Sequence, residues 1–121
     1  MADIKASIRQ ALAIDGCIGA ALVDFESGLC LGMDGNPGFD LELAAAGNTE
    51  VVRAKKKIRD KLQLKDQIED ILITLEGQYH LIRMVGKKLF LYTVLTRADA
   101  NLGMARRELA VVEKDLEVDR G

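Results

Sequence analysis

Few side chains in this sequence could do chemistry, and they do not form a catalytic or metal-binding pattern. His80 is the only histidine, and no HExxH or CxxC spacing is present. Metal centres and activated nucleophiles need several such groups placed together. The sequence therefore predicts no metal, no cofactor and no enzymatic activity, with His80 as an outward-facing residue of a strand.

The glycines do not form a phosphate-binding loop. No GxxxxGK[ST] motif occurs, and neither Gly16 and Gly19 nor the glycines at 32, 35 and 38 open a helix with the spacing that cradles a phosphate. We interpret these glycines as turn residues and as places where backbones approach closely.

The two cysteines, Cys17 and Cys30, do not suit a disulfide. A tight hairpin through residues 26 and 27 places Cys30 opposite Val23, which leaves Cys17 about 20 Å further along the strand. Both cysteines are interpreted as small apolar strand residues in a reducing compartment.

Basic residues crowd the second half of the longest helical segment. Arg53, Lys57 and Lys61 are spaced four residues apart and form one basic ridge, whereas Lys56 can pair with Asp60. This ridge either docks an acidic partner or is a solvated face that complements the helix dipole. The sequence leaves both interpretations open.

A pair of arginines, Arg106 and Arg107, lies one turn into the last helical segment. An arginine finger could be proposed there by analogy with phosphoryl-transfer enzymes. Because the start of a helix disfavours positive charge, we interpret the pair as ordinary surface residues.

The elements that must position these side chains alternate between helical and strand patterns. Helices are predicted at 2–14, 39–62 and 101–116, and strands at 17–23, 29–33, 70–76, 79–85 and 89–95. The order α-β-β-α-β-β-β-α predicts an α+β fold in which a five-stranded antiparallel sheet lies between helices. The last strand has no polar face and is predicted to be central.

The long second helix carries a broken apolar stripe. Its members recur at steps of three and four and are Leu41, Ala44, Asn48, Val51, Lys55, Ile58 and Leu62, broadened by Ala45 and Val52. Polar Asn48 and Lys55 interrupt the stripe, so we expect the helix to meet both its own sheet and a second helix. The alternative is a helix packed on one sheet with Asn48 exposed.

The strand at 70–76 is apolar on both faces. At the edge of a sheet it would pair with another chain, and we predict dimerisation through it. The competing interpretation is a central strand with no exposed edge.

Size and composition predict one domain over residues 1–121, with a core at about 4–116 and a polar C-terminal tail at 117–121 that frays after Glu117. The formal charge of -2 provides no basic field for a nucleic acid. With no signal-like start and no apolar run long enough to cross a bilayer, we expect a cytoplasmic protein without membrane insertion.

The order and spacing of these segments resemble the roadblock/dynein light chain family, especially its stand-alone bacterial members. Residues 16–24 resemble the first strand of the family, residues 26–29 its hairpin turn, residues 43–46 its small-residue long helix, and residues 101–106 the start of its final helix. The similarity extends over about residues 4–116.

The resemblance implies a roadblock/profilin-like sandwich, with the first and third helices on one face of the sheet and the second on the other. It also implies a homodimer in which third strands join and long helices lie side by side. The predicted dimer interface comprises Leu41, Ala44, Ala45, Asn48, Val51, Val52, Lys55, Ile71, Ile73 and Leu75.

The family further implies partners among Ras-like small GTPases or the motor complexes that they control, and some bacterial members stimulate GTP hydrolysis without donating an arginine. We therefore expect a non-catalytic regulator of a small GTPase. Its predicted contact residues are Asn48, Arg53, Lys56, Lys57 and Lys61. The alternatives are a nucleotide-indifferent adaptor of a motor or signalling complex, and a sensor of a small ligand.

Overall fold

Eight elements follow the predicted order in the computed structural model, which describes residues 2–118. They are α1 (Ile4–Leu12), β1 (Cys17–Asp24), β2 (Leu29–Gly35), α2 (Leu41–Lys61), β3 (Asp70–Thr74), β4 (Gln78–Val85), β5 (Leu89–Thr96) and α3 (Leu102–Asp115). The predicted fold class is confirmed.

Side-chain caps define where the three helices begin. Asp3, Asp40 and Asn101 each accept a hydrogen bond from the backbone N–H three residues later. These bonds satisfy N–H groups that have no partner inside the helix. The helices therefore begin at polar residues that the sequence supplies locally.

The five strands form one antiparallel sheet in the order β2-β1-β5-β4-β3. Leu89–Thr96 is central, and its residues are buried up to Leu95, as its lack of a polar face predicts. β3 lies at an edge, so the expected edge position of the 70–76 segment is confirmed and the central alternative is wrong.

Two apolar cores flank the sheet. On one face Ile8 of α1 and Leu109 of α3 pack on a cluster that includes Leu91. On the other face Val52 of α2 packs on a cluster that includes Phe90. This is the placement of helices that the family resemblance implies.

The hairpin of β1 and β2 has the predicted register at its tip. Val23 pairs with Cys30, and the register shifts next to this pair because Leu31 has no partner on β1. Both cysteines are free, and burial raises the pKa of Cys17 to about 11, so this thiol stays protonated at neutral pH.

The end of α3 is held by the start of the chain, which corrects part of the predicted tail. Ala2 and Leu116 form a parallel bridge, Glu117 N–H donates to the Ala2 carbonyl at 2.7 Å, and Val118 packs on the core. The expected fraying after Glu117 does not hold at Val118, because its side chain packs on the core. The rest of the predicted tail, 119–121, lies outside the described residues. Within residues 2–118 no helix combines the length and apolarity needed to cross a membrane.

We predict that Gly35→Ala destabilises the protein by at least ~2 kcal/mol more than Gly38→Ala. Both glycines have positive φ, +101° and +86°, so both substitutions introduce left-handed strain. Only at Gly35 would a Cβ lie 2.6 Å from the Ile18 carbonyl oxygen, whereas nothing lies within 4 Å at Gly38. Urea unfolding of the two variants measures the difference, and equal losses would contradict the clash.

Candidate protein-interaction surface

An apolar groove separates α2 from the sheet edge at β3. Its volume is about 490 Å³, and we call it the α2–β3 groove. It is lined by Val51, Ala54, Lys55, Ile58, Ile68, Asp70 and Ile71. Val51 and Ile58 are 37% and 49% exposed, so the groove presents apolar surface to solvent.

The groove exists because α2 packs chiefly over β1 and β2. On the same face of the sheet, the part formed by β3 and β4 has only partial cover. Ile71, Ile73 and Met84 pack against the α2-side core and remain half-buried. This uncovered half of the sheet face adjoins the unpaired edge of β3.

The residues of the predicted dimer interface fall into two groups. The first group retains accessible surface and consists of Ala44, Asn48, Val51, Lys55, Ile71, Ile73 and Leu75. The second group, Leu41, Ala45 and Val52, was wrongly assigned to the interface. These residues pack on their own sheet and are only 7%, 0% and 0% exposed. Those three lie on the stripe's inner side and have no surface to offer a second copy.

Four residues that line the groove are absent from the predicted dimer interface: Ala54, Ile58, Ile68 and Asp70. Ile58 continues the apolar stripe and could have been assigned from its spacing alone. Ile68 lies between α2 and β3, where no periodic pattern indicates its direction. Its place in the groove follows from the tertiary fold.

Arg106 joins α3 to the start of β3. Its guanidinium donates to both carboxylate oxygens of Asp70, at 3.0 and 2.7 Å, and the pair raises the pKa of Arg106. This bidentate contact commits Arg106 to a structural role, in agreement with its interpretation as an ordinary residue and not an arginine finger.

His80 does not project outward as expected, because its side chain lies on the α2 side of the sheet in a polar network. Nε2 lies 3.0 Å from Gln78 Oε1 and Nδ1 lies 3.0 Å from the Tyr92 hydroxyl, while Phe39 contacts the ring at a centroid distance of 5.8 Å. Burial lowers the pKa of His80. The neutral ring can therefore donate to Gln78 and accept from Tyr92.

Asn48 belongs to the same network, which accounts for this polar interruption of the stripe. Burial raises the pKa of Tyr92 to about 12, and a hydrogen bond from Asn48 opposes the shift. Asn48 is half-buried and interacts with Tyr92 of its own sheet, so it is not merely exposed, and the contact of α2 with a second helix stays a prediction.

The basic residues predicted to contact a partner divide into anchored and free residues. Arg53 donates from Nε to the Phe25 carbonyl and from Nη2 to the Glu26 carbonyl, both at 2.7 Å. Lys56 Nζ lies 4.8 Å from the centre of the Phe25 ring. Both residues thus hold α2 to the turn of the β1–β2 hairpin.

The expected pairing of Lys56 with Asp60 does not form. Asp60 instead accepts hydrogen bonds from Arg59 at 2.9 and 3.2 Å. Lys57 and Lys61 are exposed, and neither makes an ion pair within residues 2–118. Of the predicted ridge, only these two lysines offer unpaired charge to a partner.

The arrangement provides surfaces for binding proteins. In the described part of the chain, no group of three or more His, Cys, Asp or Glu side chains is placed to hold a metal. An apolar groove beside an unpaired strand edge can accept another polypeptide.

Solved structures of bacterial proteins share this architecture. A roadblock/LC7 domain from Streptomyces avermitilis matches with a TM-score of 0.80 at 13% sequence identity, over 93% of both chains. The chain has the roadblock fold. Myxococcus xanthus MglB matches the same roadblock architecture with a TM-score of 0.74 at 16% identity, over 90% of this chain and 84% of that chain.

A third roadblock-fold structure, the gliding protein MglB from Thermus thermophilus, matches with a TM-score of 0.68 at 17% identity, over 92% of this chain and 88% of that chain. No protein-family model and no curated protein matches the sequence. At these identities the likeness shows the fold alone. The features of this chain that bear on function are the groove, the β3 edge and the exposed lysines Lys57 and Lys61.

We predict that Arg53→Ala lowers the free energy of unfolding by about 1–2 kcal/mol, because two charge-assisted hydrogen bonds to the hairpin turn are lost at a partly exposed site. Lys57→Ala removes a charge one turn later without removing a contact and should change stability by less than ~0.5 kcal/mol. Urea unfolding of both variants checks this. Equal effects would show that Arg53 does not anchor the hairpin.

Proposed function

We propose that this chain is a non-catalytic homodimeric regulator that binds a Ras-like small GTPase and responds to its nucleotide state. The observation that carries the proposal is the open α2–β3 groove beside the unpaired edge of β3, on a roadblock fold. The sequence resemblance to roadblock proteins, a family with Ras-like GTPase partners, supplies the class of partner.

Antiparallel pairing of β3 with β3 of a second copy would extend the sheet across the dimer. The same movement would bring the second α2 over the half of the sheet face that the first α2 leaves uncovered. Val51, Ile58 and Ile71 would then lose water. Full burial of an exposed aliphatic side chain contributes about 1.5–3 kcal/mol, and these partly buried residues would each contribute a fraction of that. Edge pairing and apolar burial therefore favour the same arrangement.

The GTPase is proposed to dock on the outer side of the paired long helices, at Lys57 and Lys61. These lysines have no carboxylate partner in the described chain, so an acidic surface on the GTPase would complement them. Arg53 and Lys56 have intrachain contacts and are proposed to position the helix, while Asn48 serves the network beneath it.

Regulation in this proposal requires no catalytic residue from the chain. A protein that binds one conformation of a GTPase more tightly shifts the partner toward that conformation by the difference in binding free energy. The bidentate pairing of Arg106 with Asp70 fits this mechanism, since that arginine has a structural partner.

We predict that Ile71→Lys converts the dimer to a monomer, because the substitution places a charge in the proposed apolar contact. Val111→Lys is the matched control, since Val111 is 54% exposed on α3, away from the β3 edge. Light scattering measures the mass of each variant. A wild-type monomer, or an unchanged dimer with Lys at 71, would contradict the proposed interface.

We predict that the wild-type protein binds a cognate small GTPase with at least a tenfold difference between its GTP-analogue and GDP forms. The double variant Lys57→Glu/Lys61→Glu should weaken binding by at least tenfold, because an attraction becomes a repulsion. Lys5→Glu/Lys65→Glu, which makes the same change in charge at two exposed residues outside α2, is the control. Calorimetric titration measures both effects.

The same titration separates regulation from scaffolding. Equal affinity for the two nucleotide forms would contradict nucleotide sensing and indicate an adaptor that holds the GTPase in a complex. An unchanged affinity in the double variant would remove Lys57 and Lys61 from the docking surface.

A further inference from the structure

A second cavity lies beneath the C-terminal half of α2, between the segment that follows the helix and the turn that joins β4 to β5. Its volume is about 370 Å³, and we call it the donor cavity. It is lined by Lys56, Arg59, Gln67, Ile68, Met84, Gly86 and Lys87. This size falls in the range of small-molecule sites in proteins.

All the polar side chains that line the donor cavity have N–H groups that can donate hydrogen bonds. Lysine and arginine donate only. The amide of Gln67 uses its oxygen to accept from Arg59 Nη1 at 3.0 Å, which leaves its NH₂ group as the remaining function. Among the described residues, no aspartate or glutamate lines the cavity.

The positive charge of the cavity is only partly compensated by the chain. Asp60 binds Arg59, but Asp60 lines the neighbouring cleft with Phe25 and Arg53. Lys56 contacts the face of the Phe25 ring, and Lys87 is exposed. Neither lysine has an ion-pair partner within residues 2–118.

Like charges held around one cavity repel one another, and an anion inside the cavity would replace this repulsion with attraction. A phosphate group suits the lining better than a carboxylate does, because it carries nearly two negative charges and three strong acceptor oxygens. Arginine and lysine are also the side chains that bind phosphate most commonly.

The apolar part of the lining indicates that the ligand is more than an inorganic ion. Ile68 and Met84 supply carbon surface beside the donors, and a free phosphate would make no use of that surface. An organic phosphate could place its phosphate among the donors and its carbon framework against these two side chains.

We propose that the donor cavity binds a small organic phosphomonoester, with Lys56, Lys87 and the Gln67 amide as its principal donors. The cavity shares Ile68 with the α2–β3 groove and borders the partly covered sheet face at Met84. Its proposed donors, Lys56, Lys87 and Gln67, line neither the groove nor the β3 edge, so the proposal does not rest on the function proposed above. It assigns a ligand-binding role to part of the basic segment of α2.

Titration of the 15N-labelled protein with AMP, inorganic phosphate and adenosine tests the proposal by NMR. AMP should cause saturable shifts at the Gly86 and Lys87 backbone amides and the Gln67 side-chain amide, and should bind at least as tightly as inorganic phosphate. Adenosine, which lacks the phosphate, should cause none of these shifts.

Charge-neutralising variants test the assignment of donors. Lys87→Gln and Lys56→Gln should each raise the dissociation constant for AMP about tenfold, because each removes one charge-assisted hydrogen bond. Lys5→Gln, the same change at an exposed residue of α1, should leave it within twofold. The dispersion of the amide spectrum reports whether each variant is folded.

Three results would overturn the proposal. The first is the absence of saturable shifts at these amides with AMP, and the second is equal binding of adenosine and AMP. The third is an AMP dissociation constant that stays within twofold in both cavity variants. None of these results bears on the β3 edge, so the dimer would be judged by its own measurements.

Discussion

The burial of β5 on both faces is the constraint on which the rest of the molecule depends. A strand with no polar side needs an apolar layer above it, another below it and a hydrogen-bonded strand on each side. α1 and α3 supply one layer and α2 the other, while β1 and β4 supply the neighbouring strands. The shorter strands β2 and β3 are left at the edges, where their outer backbone groups have no strand partner within the described chain.

One helix is too narrow to cover one face of a five-stranded sheet. α1 and α3 share their face, whereas α2 has its face alone and packs chiefly over β1 and β2. The polar network of His80, Tyr92 and Asn48 lies beneath α2, and Ile71 and Ile73 remain only half-buried at the edge. The apolar groove thus arises from an unequal number of helices on the two faces, and a second copy of α2 would correct that inequality.

The basic segment of α2 shows how neighbouring residues acquire different roles from their direction around the helix. Arg53 and Lys56 reach the β1–β2 turn and anchor the helix at that end. Arg59 is turned inward to Asp60 and Gln67, while Lys57 and Lys61 face solvent. These positively charged residues look alike in the sequence, but in the fold some anchor the helix, some line a cavity and others face solvent.

Most of the fold follows from local patterns in the sequence. Apolar periodicity, the polar residues at helix starts and the glycine-bearing turns predict the elements and their order, because each pattern involves residues close together in the chain. The absence of a polar face on β5 predicts its central position. The segment at 70–76 is also apolar on both faces, so its pattern leaves an edge and a central position open, and the strand order decides for the edge. The pairing of Val23 with Cys30 follows similarly from the length of one hairpin turn.

The tertiary structure alone decided which side chains of those elements are accessible. The stripe of α2 does not reveal that Leu41, Ala45 and Val52 face their own sheet while Val51 and Ile58 line a groove, since that depends on where the helix axis lies over the strands. The inward direction of His80 and the reach of Arg53 to residues 25 and 26 likewise require contacts between distant segments. Periodicity records which residues are apolar, whereas the surface that each one meets is set by the packing of the whole chain.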